Sequence, residues 1–319
     1  LTDFNGVIYP SVFDKPQTIN TLANDPGSLV TAFQVQQNTL FKGKATVQNG
    51  RFIAHFKVPK DINYQFGNGK ISLYAEDGTR DAKGAFTQFL VGGAGTDPLS
   101  DTTGPDISPY LNDELFVNGG LSNQQPVLIV KLSDSSGINT AGTGIGHDIV
   151  ATLDGDNNKY FILNDFYQGD LDSYQSGQVR FQLPELEPGP HVLKIKAWDV
   201  LNNPGEAYLE FVVATDEHPE IHHVLNYPNP FTTHTSFWFE HNKPGQQLAV
   251  NLQVFTLSGK IIKRIQATIN SMGNRSNDLE WDGRDDFGQK VGRGVYFYKL
   301  SVIFPGGVKR EKIEKLVIF

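Results

Sequence analysis

Leu193-Lys194-Ile195-Lys196-Ala197-Trp198 alternates apolar with charged residues. That is the period of a β-strand with one face on a core and the other in water. Similar runs recur along the chain and predict strands over 4–13, 40–47, 51–58 and 70–76, then 126–133, 148–153, 178–183, 191–199 and 206–213, and finally 236–240, 248–256, 295–304 and 312–319. Between the second and third of these, Gln48-Asn49-Gly50 supplies the positive-φ residues of a tight hairpin. No segment offers an amphipathic helix of useful length. With 22 Phe against 1 Met, and 32 Gly and 17 Pro to punctuate short strands, the composition points the same way.

Two stretches poor in large apolar residues divide the 319 residues. The first is 92–105, rich in Gly, Pro, Ser, Thr and Asp, and the second is Thr215-Asp216-Glu217-His218-Pro219-Glu220. The expected fold is therefore all-β, with three tandem immunoglobulin-like antiparallel β-sandwich domains over 1–93, 106–214 and 221–319, strung like beads on linkers.

Composition also removes functions. Net charge is -8 with Lys and Arg scattered, so no basic stripe is available for nucleic acid. No apolar run reaches the roughly 20 residues of a membrane-spanning helix. Leu1-Thr2-Asp3-Phe4 is neither a signal peptide nor an initiator Met, which predicts a fragment of a longer chain. The absence of Cys excludes disulfides, thiolate metal sites and a cysteine nucleophile, and is in keeping with export.

No catalytic residue is assigned. No Gly-x-Ser-x-Gly elbow stands near any of the eight histidines. His55 falls inside the expected strand 51–58, His191 opens another, and His218, His222 and His223 are read as falling in the second linker. Gly146-His147-Asp148 near Ser135 and Ser136 has the residue types of a triad, against which stands plain local hydrogen bonding. His222 and His223, adjacent on an extended chain, point to opposite sides and do not face one ion with Glu220 or His218. Asp134, Asp148, Asp154, Asp156, Asp165 and Asp199 lie at loop ends where carboxylates could collect Ca²⁺, with solvated turns as the alternative. Asp282, Asp285 and Asp286 read as one such turn.

Four spaced motifs close the chain: Asn226-Tyr227-Pro228-Asn229-Pro230-Phe231, Val254-Phe255-Thr256-Leu257-Ser258-Gly259-Lys260, Trp281-Asp282-Gly283-Arg284-Asp285-Asp286-Phe287-Gly288 and Gly292-Arg293-Gly294-Val295-Tyr296-Phe297-Tyr298-Lys299-Leu300, before a terminal Lys315-Leu316-Val317-Ile318-Phe319. In this order they resemble the C-terminal sorting domain of type IX secretion cargo and the related immunoglobulin-like domain of the flagellar hook-capping protein FlgD. Upstream, Asp3-Phe4-Asn5-Gly6-Val7-Ile8-Tyr9-Pro10, Val117-Asn118-Gly119-Gly120, Lys131-Leu132-Ser133-Asp134-Ser135-Ser136-Gly137-Ile138-Asn139, Gly144-Ile145-Gly146-His147-Asp148, Leu163-Asn164-Asp165-Phe166-Tyr167 and Ala197-Trp198-Asp199-Val200-Leu201-Asn202-Asn203 are similar to the region following the peptidase domain in PorU-type sortases of type IX secretion.

The resemblance covers nearly the whole chain but not the gingipain-like peptidase domain, whose Cys–His pair has no counterpart here. It implies a cell-surface location at the outer membrane, a peptidase domain preceding this chain, and the outer-membrane β-barrel shuttle protein PorV as partner. It further implies a parent that cleaves sorting domains from cargo and attaches the cargo to lipopolysaccharide. Lys315, Leu316, Val317, Ile318 and Phe319, an apolar run at the extreme end, are the expected docking residues, with completion of their own sandwich as the alternative. The alternatives are a surface adhesin or carbohydrate-binding stalk, for which Phe166, Tyr167, Tyr174 and Trp238 are the candidate sugar-stacking rings, and the accessory domains of a cargo hydrolase.

Overall fold

The computed structural model describes residues 2–95, 101–141, 146–215 and 217–319, and omits the side chains of Asn277 and Asp278. Residues 96–100 of the first expected linker, 142–145 before His147 and Asp216 of the second linker lie outside the described residues. The architecture is all-β, the one helical element among the described residues being a 3-10 turn at Asn164–Phe166.

The first stretch supplies strands β1 (Gly6–Phe13), β2 (Gln17–Asn20), β3 (Ala32–Val35), β4 (Thr39–Lys42), β5 (Ala45–Val47), β6 (Gly67–Asn68), β7 (Lys70–Glu76), β8 (Asp81–Phe86) and β9 (Leu90–Val91). Its main sheet has the order β4-β1-β7-β8, with β5 also on β1, and two small ribbons pair β2 with β3 and β6 with β9. Alternation along β1 sends Ile8 and Val12 into two small cores. Ile8 joins Phe4, Ala45, Val47 and Ala75. Val12 joins Leu40 and Val91, against which Phe41 and Phe56 pack with their rings stacked at 4.7 Å.

One expected strand does not form. Asn49 and Gly50 do turn at φ 50° and 73°, and Gln48 and Arg51 exchange backbone bonds of 2.9 and 3.0 Å. The ladder then stops, because the outer edge of β5 is already taken by Asp172. Its amide donates to the Lys44 carbonyl at 2.9 Å, and its carboxylate accepts the Thr46 amide at 2.7 Å and hydroxyl at 2.6 Å. Residues 52–58 are left outside every sheet.

The middle stretch supplies β10 (Asp106–Leu111), β11 (Gly120–Ser122), β12 (Val127–Ser133), β13 (Val150–Leu153), β14 (Tyr160–Ile162), β15 (Tyr167–Gly169), β16 (Ser176–Gln182), β17 (Gly189–Trp198) and β18 (Pro204–Val213). They form sheets in the orders β10-β12-β16-β15 and β11-β18-β17-β13-β14, all antiparallel in the registers described except the parallel pair β11 and β18. In β17 the quoted alternation holds, with Leu193, Ile195 and Ala197 buried.

The last stretch supplies β19 (Ile221–Tyr227), β20 (Thr235–His241), β21 (Gln247–Phe255), β22 (Ile261–Asn270), β23 (Arg275–Trp281), β24 (Gly294–Ile303) and β25 (Lys309–Ile318), in sheets β19-β20-β23 and β22-β21-β24-β25. Their inner faces share one core in which Phe237 meets Tyr298 edge to face at 4.8 Å.

By packing, the chain divides into two compact units, one of 1–109, 130–181 and 193–208, the other of 110–129, 182–192 and 209–319. Beads on linkers do not describe either unit. In the first, the opening strands are bonded to middle residues at Lys44, Thr46 and Lys60, the Lys60 amide donating to the Val200 carbonyl at 2.9 Å. In the second, Glu240 of β20 accepts the Leu121 amide of β11 at 3.1 Å.

Candidate functional site

The expected docking run is built into its own sandwich. β25 pairs with β24 from Gly294↔Ile318 to Ile303↔Lys309. Its alternation buries Leu316 and Ile318 completely in the core, leaves Val317 half-buried and exposes Lys315 and Phe319. The motif that opens the domain reaches over to meet it. Asn229 Oδ1 accepts the Val317 amide at 2.9 Å and Asn229 Nδ2 donates to the Lys315 carbonyl at 3.0 Å. Phe231 donates its amide to Val317 at 3.1 Å and accepts that of Phe319 at 2.9 Å. The buried Phe231 ring stands 5.6 Å from Trp281, whose indole N–H donates to the Arg284 carbonyl at 2.7 Å. Among the described residues no strand pairs with the outer edge of β25 over residues 309–314, which are exposed except for half-buried Arg310. On it Glu311 is held at about 2 by hydrogen bonds from Lys309 Nζ and the Ser301 hydroxyl.

Of the six acidic residues, the structure brings two together, Asp134 and buried Asp199, and adds Asp101 from the expected linker; one carboxylate oxygen of each lies within 4.8 Å of the others. Asp101 went unread because its partners are 33 or more positions away in sequence, where no spacing rule reaches. The oxygens suit a hard cation in type, yet local donors already occupy most of them. Asp101 accepts from Thr103, Ser135 and Ser136, Asp199 from Leu201 and Asn203, and Asp134 Oδ1 from the Ser136 and Gly137 amides. Hydrogen bonds, that of Ser136 foremost, hold Asp101 well below the usual carboxylate range, while burial pushes Asp134 up with help from Asp199 and Asp101. The remaining four lie elsewhere: Asp165 pairs with Lys42 at 3.3 Å, Asp156 closes its own turn on Asn158, Asp154 sits at φ 54°, and Asp148 is shifted up by burial.

His147 does not meet Ser135 or Ser136, whose hydroxyls donate to Asp101. Its Nδ1 lies 2.8 Å from Asp61, a residue the sequence did not single out, which also accepts Asn139 Nδ2 and Asn202 Nδ2, each at 2.8 Å. His147 packs on Trp198 at 4.3 Å. This is a hub joining the opening residues to the middle loops of the first unit. His222 and His223 lie on β19 rather than in a linker, and each takes a different carboxylate at 2.9 Å, Glu220 and Glu240 respectively. His223 sits at φ 43° beside a register shift in β19, so the pair departs from the extended geometry expected of it, and both imidazoles are exposed with their rings 6.4 Å apart.

Of the four candidate sugar-stacking rings, Phe166 is exposed, at 43%, and the other three are buried or half-buried. Tyr167 belongs to the core, Arg275 covers Trp238 at 4.3 Å, Phe166 meets Phe181 edge-on at 4.8 Å, and Tyr174 is half-buried.

No family model matches the chain, and no curated protein does. Among solved structures it is similar to dimeric latent PorU from Porphyromonas gingivalis, at 29% identity over 99% of this chain and 30% of that one, with a TM-score of 0.38. It also aligns with the C-terminal domain of the AgI/II polypeptide BspA from Streptococcus agalactiae, at 12% identity over 67% of this chain and 99% of that one, TM-score 0.25. A 1.5-MDa bacterial ice-binding adhesin aligns at 8% identity over 99% and 87%, TM-score 0.23. The chain thus spans 30% of the length of the PorU structure it matches.

Proposed function

We propose that this chain is the non-catalytic structural and targeting region of a type IX secretion sortase, carrying a peptidase domain and docking it on the outer-membrane protein PorV. The observation that supports the reading is the closure of the last sandwich. The motifs on which the resemblance rests, at Asn226–Phe231, Trp281–Gly288, Gly292–Leu300 and Lys315–Phe319, converge on one clasp in which Asn229 and Phe231 hold the terminal strand beside Trp281. In this reading the parent's peptidase cleaves cargo sorting domains and joins cargo to lipopolysaccharide, while this region sets where that happens. Docking uses what the fold leaves free, the edge over residues 309–314 with the exposed side chains of Lys315 and Phe319, because Leu316 and Ile318 are spent on the core. Replacing the parent gene by one ending before Ile221 tests it. The expected result is a parent that still cleaves a soluble sorting-domain peptide but leaves cargo unprocessed at the surface; normal surface processing would refute the reading.

A further inference from the structure

Phe52-Ile53-Ala54-His55-Phe56-Lys57-Val58 has the alternation of a strand and runs without turn or bend, yet no residue of it makes a hydrogen bond to any described residue. The loss has a local cause: Asp172 holds the edge of β5 on which this run would have folded back. Ala54 and Phe56 nonetheless anchor it, packing on the two small cores, with Phe56 stacked on Phe41. The run is thus pinned by alternate side chains while its amides and carbonyls go unpaired, which is the condition under which an extended peptide adds as a strand.

The side chains say what kind of peptide. In the other phase stand Arg51, Ile53, His55 and Lys57, with Ile53 73% exposed, and Lys60 follows. Arg51, Lys57 and Lys60 have no ion-pair partner among the described residues, in a chain whose net charge is -8. At the far end Phe56 and Val58, with Val12, Leu40 and Tyr64, line a cavity of about 650 Å³ that offers apolar seats. A second copy of the chain fits poorly, because pairing the run with itself sets one cationic phase beside another.

We propose that residues 52–58, flanked by the Arg51 and Lys60 side chains, are a strand-addition site for an extended polypeptide whose side chains alternate acidic with apolar. This inference does not depend on the sortase reading. The probes are a labelled peptide of alternating Glu and Val, as long as the run, and its Lys–Val counterpart, titrated against the full chain by fluorescence anisotropy, with amide hydrogen exchange followed by mass spectrometry. In the free chain the amides of 52–58 are expected to exchange as fast as exposed loops and to become protected on adding the Glu–Val peptide. Binding is expected to weaken by about tenfold in the double variant Arg51→Glu, Lys57→Glu, which keeps its melting temperature and gains affinity for the Lys–Val peptide. Protection already present in the free chain at all concentrations, protection that rises with chain concentration alone, equal binding of both peptides, or binding of neither would each overturn the proposal.

Discussion

Asn229 holds the terminal strand with both ends of one amide, accepting from the Val317 N–H at 2.9 Å and donating to the Lys315 carbonyl at 3.0 Å. The side chain imitates the next strand's backbone. It satisfies the two groups that a sheet edge would expose beside the chain's end, and it joins positions 88 and 86 residues apart.

If that bracket closes the last sandwich, Asn229→Ala costs about 1–3 kcal/mol in urea unfolding of the chain, two hydrogen bonds at about 0.5–1.5 kcal/mol each. Asn229→Asp keeps the acceptor, loses the donor and falls between. Equal stability of all three proteins would contradict the assignment.

The terminal run divides by burial. Leu316→Ala and Ile318→Ala each empty a site in the core and cost about 2–5 kcal/mol, whereas Lys315→Ala and Phe319→Ala stay within about 0.5 kcal/mol. Thermal melts of the four variants make the comparison. A large loss from the exposed pair would show that the run packs differently.

Acid should act through His241, which the sequence did not single out. It is fully buried between Phe239 and Phe304, its Nδ1 accepts the Lys243 amide at 3.2 Å, and burial lowers its pKa to about 4 from an ordinary 6.5. The folded state thus resists the proton that the unfolded chain takes, so stability is full above about pH 6.5 and declines as pH falls toward 4. By pH 5 the loss from this group is about 2 kcal/mol. His241→Gln, which retains an acceptor for Lys243, should flatten the pH dependence of unfolding between pH 7 and 5. An unchanged slope in the variant would exclude His241 as its source.

In the first unit, Asp61 concentrates the risk. Removing its carboxylate with Asp61→Ala strips the acceptor from Asn139, Asn202 and His147 together and costs about 2–4 kcal/mol. Denaturant unfolding measures this, and a loss below about 1 kcal/mol would show that water replaces the hub.

Where alternation was clean and the partner strand near in sequence, the chain could be read directly. Lys70–Glu76 forms over the expected residues, and 126–133 and 248–256 lie within one residue at each end of Val127–Ser133 and Gln247–Phe255. The burial of Leu316 and Ile318 follows from the same period, although the run was read as a docking surface because it stands last. Distance in sequence hid the rest. The strand expected over 51–58 was lost to Asp172, 126 positions from the Thr46 it bonds. Asp101 joined Asp134 and Asp199 from a stretch read as spacer. β8 escaped notice because all six of its residues are exposed, so burial imposed no pattern on Asp81-Ala82-Lys83-Gly84-Ala85-Phe86.

Docking is the claim on which the account turns, and a direct titration of this chain into detergent-solubilised PorV tests it. The account predicts saturable binding that is lost in the double variant Lys312→Glu, Ile313→Asp on the open edge of β25, with the melting temperature preserved. No binding by the parent chain, or undiminished binding by the edge variant, would contradict it.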